Sequence, residues 1–157
     1  MKLRWKIAQW FEQRWWKNYL SNKNKEEYLV WKKRYWENIL SKIPVEIKIN
    51  SSKIICDAGC GPAGIFIALP DNKIIAVEPL ILQYEKQTSF FKRSDYPNTT
   101  FIQSTIEEFQ TREVLKTAQI LPEKYDFVFC MNAINHVHEI EKGFIKMAPT
   151  MSKFSRL

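Results

Sequence analysis

Three glycines in the segment 53–70, KIICDAGCGPAGIFIALP, constrain the fold more than any other feature of this chain. Gly59, Gly61 and Gly64 fall within six consecutive positions, lie between two apolar runs, and satisfy the pattern GxGxxG. Such a turn between a buried strand and a helix lets a ligand approach the backbone closely. Each glycine loses more conformational entropy on folding than other residues do, so three glycines in one turn destabilise the folded state. We therefore expect that the turn has a function, namely to bind a ligand.

Apolar runs alternate with helix-compatible segments along the rest of the chain. The runs at 53–58, 73–79, 97–104 and 124–133 predict four strands. Helices are expected directly after the glycine turn, at 64–69, and again at 80–91, 106–119 and 138–147. This alternation predicts an α/β fold that is built from strand–helix–strand units around a mostly parallel sheet.

Residues 1–44 differ in composition and predict a helical extension that precedes a domain at 45–157. All six tryptophans lie within the first 36 residues, and residues 1–50 hold 12 Lys/Arg against 5 Asp/Glu, whereas the remainder is neutral. Apolar residues recur at helical spacing in two segments that are separated by the polar sequence SNKNKE and end before Pro44. The two predicted stripes are Leu3, Ile7, Trp10, Phe11 and Trp15, and then Tyr28, Val30 or Trp31, Tyr35, Ile39 and Ile43.

The extension permits two interpretations. It is either a helical cap that packs on the following domain or an interfacial element whose tryptophans and cations meet anionic lipid at a membrane surface. Its charge alone would also suit nucleic acid, but no recognisable binding motif accompanies it, so no nucleic-acid partner is expected.

Two ligand classes use a turn of this kind, namely dinucleotides and S-adenosylmethionine. Asp57 closes the first strand, where a carboxylate would attract an ammonium or sulfonium and repel a pyrophosphate. Pro62 departs from the usual dinucleotide turn, and 52 residues precede the first strand, whereas a dinucleotide-binding unit often begins close to it. These features favour S-adenosylmethionine, and an NAD-dependent oxidoreductase stays a distant alternative.

The segment IICDAGCGPAG resembles motif I of the class I, Rossmann-like S-adenosylmethionine-dependent methyltransferases, whose typical form is D-x-G-C-G-P-x-G after a hydrophobic strand. KIIAVEP resembles the second strand of that family, FIQSTIEEF the third, and YDFVFCMNAINHV the fourth strand with its loop. The resemblance spans residues 45–147 and implies a doubly wound sheet in the order 3-2-1-4.

The resemblance also implies a set of cofactor contacts. The methionine part would lie against Asp57, Gly59, Cys60, Gly61 and Gly64, and the ribose hydroxyls would bind Glu78. Where the family often has a glycine, an aspartate and a small residue, this chain has Ser104, Thr105 and Ile106, of which the last two would contact adenine. The remaining expected contacts, at the end of the fourth strand, are Cys130, Met131 and Asn132.

The resemblance implies methyl transfer to an unidentified small-molecule or lipid-like acceptor. His136 is a candidate general base, and the alternative is that it holds the loop at a helix start. After the fourth strand the family would normally continue with further strands, so we expect an incomplete, truncated domain. Its edge would need a partner, such as a homodimer that completes the sheet. A non-catalytic remnant or interaction module is the alternative function.

The cysteines and histidines bear on metal binding and on the cellular compartment. The three cysteines contain no CxxC pair and the chain has only two histidines, so no metal site is expected. Reduced thiols beside apolar runs favour a cytoplasmic protein, with peripheral membrane contact as an addition if the extension is interfacial.

Overall fold

The computed structural model describes residues 3–44, 46–109, 122, 124–131, 133 and 141. Within these residues lie three α-helices, α1 (Leu3–Ser21), α2 (Lys25–Leu40) and α3 (Ile81–Gln87), and four strands, β1 (Ile54–Ala58), β2 (Lys73–Val77), β3 (Thr99–Ile102) and β4 (Phe127–Phe129). Two short 3-10 turns span Ile65–Ile67 and Arg93–Asp95.

All four strands run parallel, in the order β3-β2-β1-β4. The predicted Rossmann-like α/β fold and its strand order are therefore confirmed. β1 lies between β2 and β4, and β4 is the edge strand on its side among the described strands. The Asp126 carboxylate accepts hydrogen bonds from the Ile54 amide at 2.9 Å and from the Lys53 ammonium at 3.1 Å, which fixes the start of β4 beside β1.

Side chains of the central strands alternate between two apolar layers, as expected for a sheet that is covered on both faces. Ile55, Ile74 and Ala76 pack on one side with the first 3-10 turn and α2. The intervening residues pack on the opposite side, and they are Cys56, Ala58, Ile75 and Val77. Both faces of the sheet are thereby buried, which holds the carboxyl ends of the strands in fixed positions.

The predicted helix after the glycine turn is wrong. Only a single 3-10 turn, Ile65–Ile67, follows Gly64. Pro70 lies six residues after Gly64 and β2 begins at Lys73, so the connection is too short for a helix of several turns. The predicted helices at 106–119 and 138–147 lie almost entirely outside the described residues, and residues 106–109 form a turn.

The two helices of the extension are confirmed, and Asn24 caps α2 by accepting a hydrogen bond from the Glu27 amide at 3.0 Å. Their predicted apolar stripes are only partly the buried faces. In α1, Ile7, Trp10, Phe11 and Trp15 are about half exposed, whereas Leu20 is buried. In α2, Tyr28 is buried but Val30 and Trp31 are exposed, and the second buried anchor is Trp36. α2 ends at Leu40 rather than directly before Pro44.

Candidate functional site

The glycine turn and Glu78 are neighbours because the ends of β1 and β2 are in register. Ala58 pairs with Val77, and the Gly59 amide donates a hydrogen bond to the Val77 carbonyl at 2.8 Å. The Glu78 amide in turn donates to the Ile102 carbonyl at 3.0 Å, which joins the end of β2 to that of β3. The carboxyl ends of three strands thus meet at one edge, where open α/β sheets bind ligands.

Two glycines of the turn adopt a left-handed backbone. The φ angles of Gly59 and Gly61 are 73° and 58°, which residues with a side chain rarely adopt. Gly64 is constrained differently, because a Cβ at this position would overlap the Asp57 carboxylate. Gly59 and Gly61 therefore shape the turn, Gly59 also leaves room for the Ala133 side chain, and Gly64 leaves room for the Asp57 carboxylate beneath the turn.

Asp57 organises the turn from below. Its side chain is 1% exposed, and its Oδ2 accepts a hydrogen bond from the Ile65 amide at 2.8 Å. Burial raises the pKa of this carboxyl to about 7, against the lowering effect of that hydrogen bond and of the nearby Lys32. The carboxylate is bonded to backbone and is not among the groups that line the adjacent cavity.

Glu78 faces both the turn and the cavity. Its Oε2 accepts a hydrogen bond from the Gly61 amide at 3.1 Å and its Oε1 from the Leu80 amide at 3.0 Å. Burial raises the pKa of Glu78 to about 7, and the nearby Glu12 carboxylate raises it further. Because a carboxylate has about four acceptor sites, Glu78 retains capacity for two hydroxyl donors from a ligand.

A cavity of about 840 Å³ lies between these strand ends and the N-terminal helices. This volume is near the upper end of the range of about 300–1,000 Å³ that is typical of small-molecule sites. Seven of the residues that were predicted to contact the cofactor line it: Gly59, Cys60, Gly61, Glu78, Thr105, Ile106 and Met131. The opposite wall comes from α1 and α2 and includes Phe11, Glu12, Trp15, Trp31, Lys32 and Tyr35.

The structure does not bring every predicted site residue to the cavity. Gly64 and Cys130 are not among the described residues that line it, and Cys130 is partly buried at the end of β4. Asn132 and His136 lie outside the described residues. All three cysteines are free thiols, and burial raises the pKa of each of them.

The charge of the cavity lining is predominantly acidic. Of the described residues that line it, Glu12, Glu78 and Glu107 carry carboxylates and one, Lys32, carries an ammonium. A polyanionic ligand such as a pyrophosphate would meet unfavourable charge here, whereas a ligand with a net positive charge would be favoured.

The residues that attach the helices to the sheet were not predicted from the sequence. The Trp36 indole N–H donates a hydrogen bond to the Ala63 carbonyl within the glycine turn at 3.0 Å. The Tyr84 hydroxyl of α3 donates to Oε1 of Glu12 in α1 at 3.0 Å. Lys32 and Trp36 are four residues apart and therefore share one face of α2. This spacing could have indicated that the face packs on the domain, but it does not identify the hydrogen-bond partner.

No cluster of three or more His, Cys, Asp or Glu residues that could hold a metal ion occurs in the part of the chain that the structure describes. Of the helices described, none combines the length and apolar character that crossing a membrane requires.

Comparison with known proteins relates the chain to others through its structure. No protein-family model and no curated protein matches the chain. Among solved structures, it is similar to a candidate methyltransferase from an antibiotic biosynthesis pathway of Anabaena variabilis, with a TM-score of 0.54 and 21% identity. The match covers 75% of this chain and 41% of that one, so the chain spans about two fifths of its structural neighbour. The relationship establishes a methyltransferase-like fold.

Proposed function

We propose that this chain forms the S-adenosylmethionine-binding part of a methyltransferase that acts on a small-molecule or lipid-like acceptor. The observation that carries the proposal is the position of Glu78, which lies beside a glycine turn at the ends of β1 and β2 and faces a cavity. The methyltransferase-like fold of the structural neighbour supports it.

The residues present fit this cofactor chemically. S-adenosylmethionine carries an ammonium, a sulfonium and one carboxylate, and the acidic lining suits its net positive charge. Glu78 would accept hydrogen bonds from the two ribose hydroxyls, and Thr105 and Ile106 would lie beside the adenine. The left-handed turn at Gly59 and Gly61 would let the methionine part approach bare backbone.

Methyl transfer requires little of the protein beyond orienting the acceptor and excluding water. The bound cofactor supplies a methyl group on a good leaving group. The chain would align an acceptor atom with that methyl and keep water away, which are effects of orientation and desolvation rather than of acid–base groups. The wall of Trp15, Trp31 and Tyr35 would provide the apolar shelter.

That wall also bears on the acceptor. Phe11, Trp15 and Trp31 line the cavity and are each more than half exposed, so they form an aromatic mouth. Aromatic side chains offer large apolar contact area, which suits a flat or lipid-like acceptor. The proposal includes peripheral contact between this mouth and an anionic membrane, because residues 1–50 carry 12 basic against 5 acidic side chains.

Calorimetric titration of S-adenosylmethionine and S-adenosylhomocysteine into the purified protein tests the proposal. We expect saturable binding that Glu78→Gln weakens at least tenfold, because the variant loses the charge that the ribose hydroxyls meet. Glu26→Gln, an exposed carboxylate in the first turn of α2, is the matched control and should leave affinity unchanged. NAD should not bind.

Absence of S-adenosylmethionine binding by a protein that unfolds cooperatively would contradict the proposal. That result would favour the non-catalytic interaction module instead. Binding of NAD in place of S-adenosylmethionine would point to the oxidoreductase reading.

A further inference from the structure

The N-terminal extension brings a positive charge, Lys32, to the cavity that the glycine turn lines. Lys32 lies in α2 one helical turn before Trp36, whose indole bonds the Ala63 carbonyl inside the turn. Residues four apart share a helix face, and Lys32 lines the same cavity as Gly59 and Gly61. Its charge is close enough to that of Asp57 for the two groups to affect each other's pKa.

Aromatic rings pack around the Lys32 ammonium. Its Nζ lies 4.2 Å from the centre of the Tyr35 ring and 5.5 Å from that of Trp36. Among the described residues, the salt bridges involve other lysines and arginines, and none is formed by Lys32. Burial lowers the pKa of Lys32, against the raising effect of the Asp57 charge, so an additional negative charge in the cavity would stabilise the ammonium form.

The local backbone offers an anion little else at this end of the cavity. In dinucleotide folds the first helix begins at the glycine turn, and its N-terminus stabilises negative charge. Here a 3-10 turn of three residues, Ile65–Ile67, replaces that helix. The other charged side chains that line the cavity in the described residues are carboxylates, Glu12, Glu78 and Glu107. A carboxylate of a bound ligand would therefore find its counter-charge at Lys32.

We infer that Lys32 of the N-terminal extension binds the carboxylate of the cofactor's methionine part, so that the extension completes the cofactor site. The inference rests on the proposed function. It orients the ligand: the ribose lies at Glu78 and the amino-acid end beneath α2. It also gives the extension a role beyond covering the sheet, because the helix that carries Lys32 is attached to the turn through Trp36.

Decarboxylated S-adenosylmethionine is the sharpest probe, because it lacks only the carboxylate. On the wild-type full chain we expect it to bind about ten- to a hundredfold more weakly than S-adenosylmethionine, which is the range for a charged hydrogen bond. In Lys32→Gln the two ligands should bind equally well, and Lys32→Arg should restore most of the difference. Lys33→Gln, which removes an exposed neighbouring charge, is the matched control.

The outcomes separate this inference from the proposed function. Equal binding of both ligands to the wild type overturns the inference and leaves the proposed function standing. A Lys32→Gln variant that weakens both ligands by the same factor overturns it too, since that pattern reflects a structural role. If neither ligand binds the folded wild type, both proposals fail. The wild-type comparison needs no variant, so it decides even if Lys32→Gln does not fold.

Discussion

Substitution of Trp36 by phenylalanine should lower the free energy of unfolding, because it removes the hydrogen bond that attaches the extension to the glycine turn. The side chain is 4% exposed, and its indole N–H donates the 3.0 Å hydrogen bond to the Ala63 carbonyl. Removing the donor from a buried hydrogen bond costs about 1–3 kcal/mol. The smaller ring leaves a partly filled space, which adds about 1 kcal/mol. We therefore expect the free energy of unfolding to fall by about 2–4 kcal/mol, a large share of the stability of a small domain.

Urea denaturation followed by circular dichroism measures this change, with the midpoint and slope fitted separately. Trp10→Phe is the matched control, because Trp10 is 53% exposed in α1 and the same atoms are removed. That variant should stay within about 0.5 kcal/mol of the wild type. Equal stability of the Trp36 variant and the wild type, or equal losses in both variants, would refute the reasoning that α2 is anchored through this bond.

Three further predictions follow from the site. Burial raises the pKa of Asp57 and Glu78 to about 7 in the folded protein, whereas both carboxyls ionise at about pH 4 in the unfolded chain. The folded state therefore holds protons more tightly, and this contribution to stability is lost as pH rises from about 4 to 7. The free energy of unfolding should fall across that window, and less steeply in Asp57→Asn. Urea denaturation at several pH values measures this, and the same pH dependence in the variant and the wild type would contradict it. Gly64→Ala should destabilise more than Gly61→Ala, by about 1–3 against about 1 kcal/mol, because only the first Cβ overlaps neighbouring atoms. Equal losses would count against the packing described. The protein should float with phosphatidylglycerol vesicles and Trp15→Ser should float less; sedimentation of the wild type away from the vesicles would end the membrane proposal.

The strands were predictable because each is a short apolar run whose pattern depends on its own residues. Their order was implied by the motifs and is confirmed by the register of β1 with β2 and β4. The helix expected after Gly64 failed because its apolar spacing also fits a 3-10 turn, and the distance to β2 decided between them.

The extension shows where local pattern is insufficient. Helical spacing predicted both helices and their apolar stripes, but it could not tell which stripe residues pack on the sheet, and Trp15 and Trp31 are exposed. Which side of a helix faces the sheet depends on contacts with residues distant in sequence. The bond from Trp36 to Ala63 joins positions 27 residues apart, and the bond from Tyr84 to Glu12 joins positions 72 apart.

The sequence by itself determined the glycine turn, the acidic residue at the end of β2 and the parallel sheet, because these follow from residue types at fixed local spacing. Only the tertiary structure decided that Asp57 is buried beneath the turn while Glu78 faces the cavity. It also brought Lys32 and Glu12 to the same cavity as Glu78. The physical reason is that charge and burial at a site are set by whichever distant elements pack over it, and spacing along one chain carries no record of that packing.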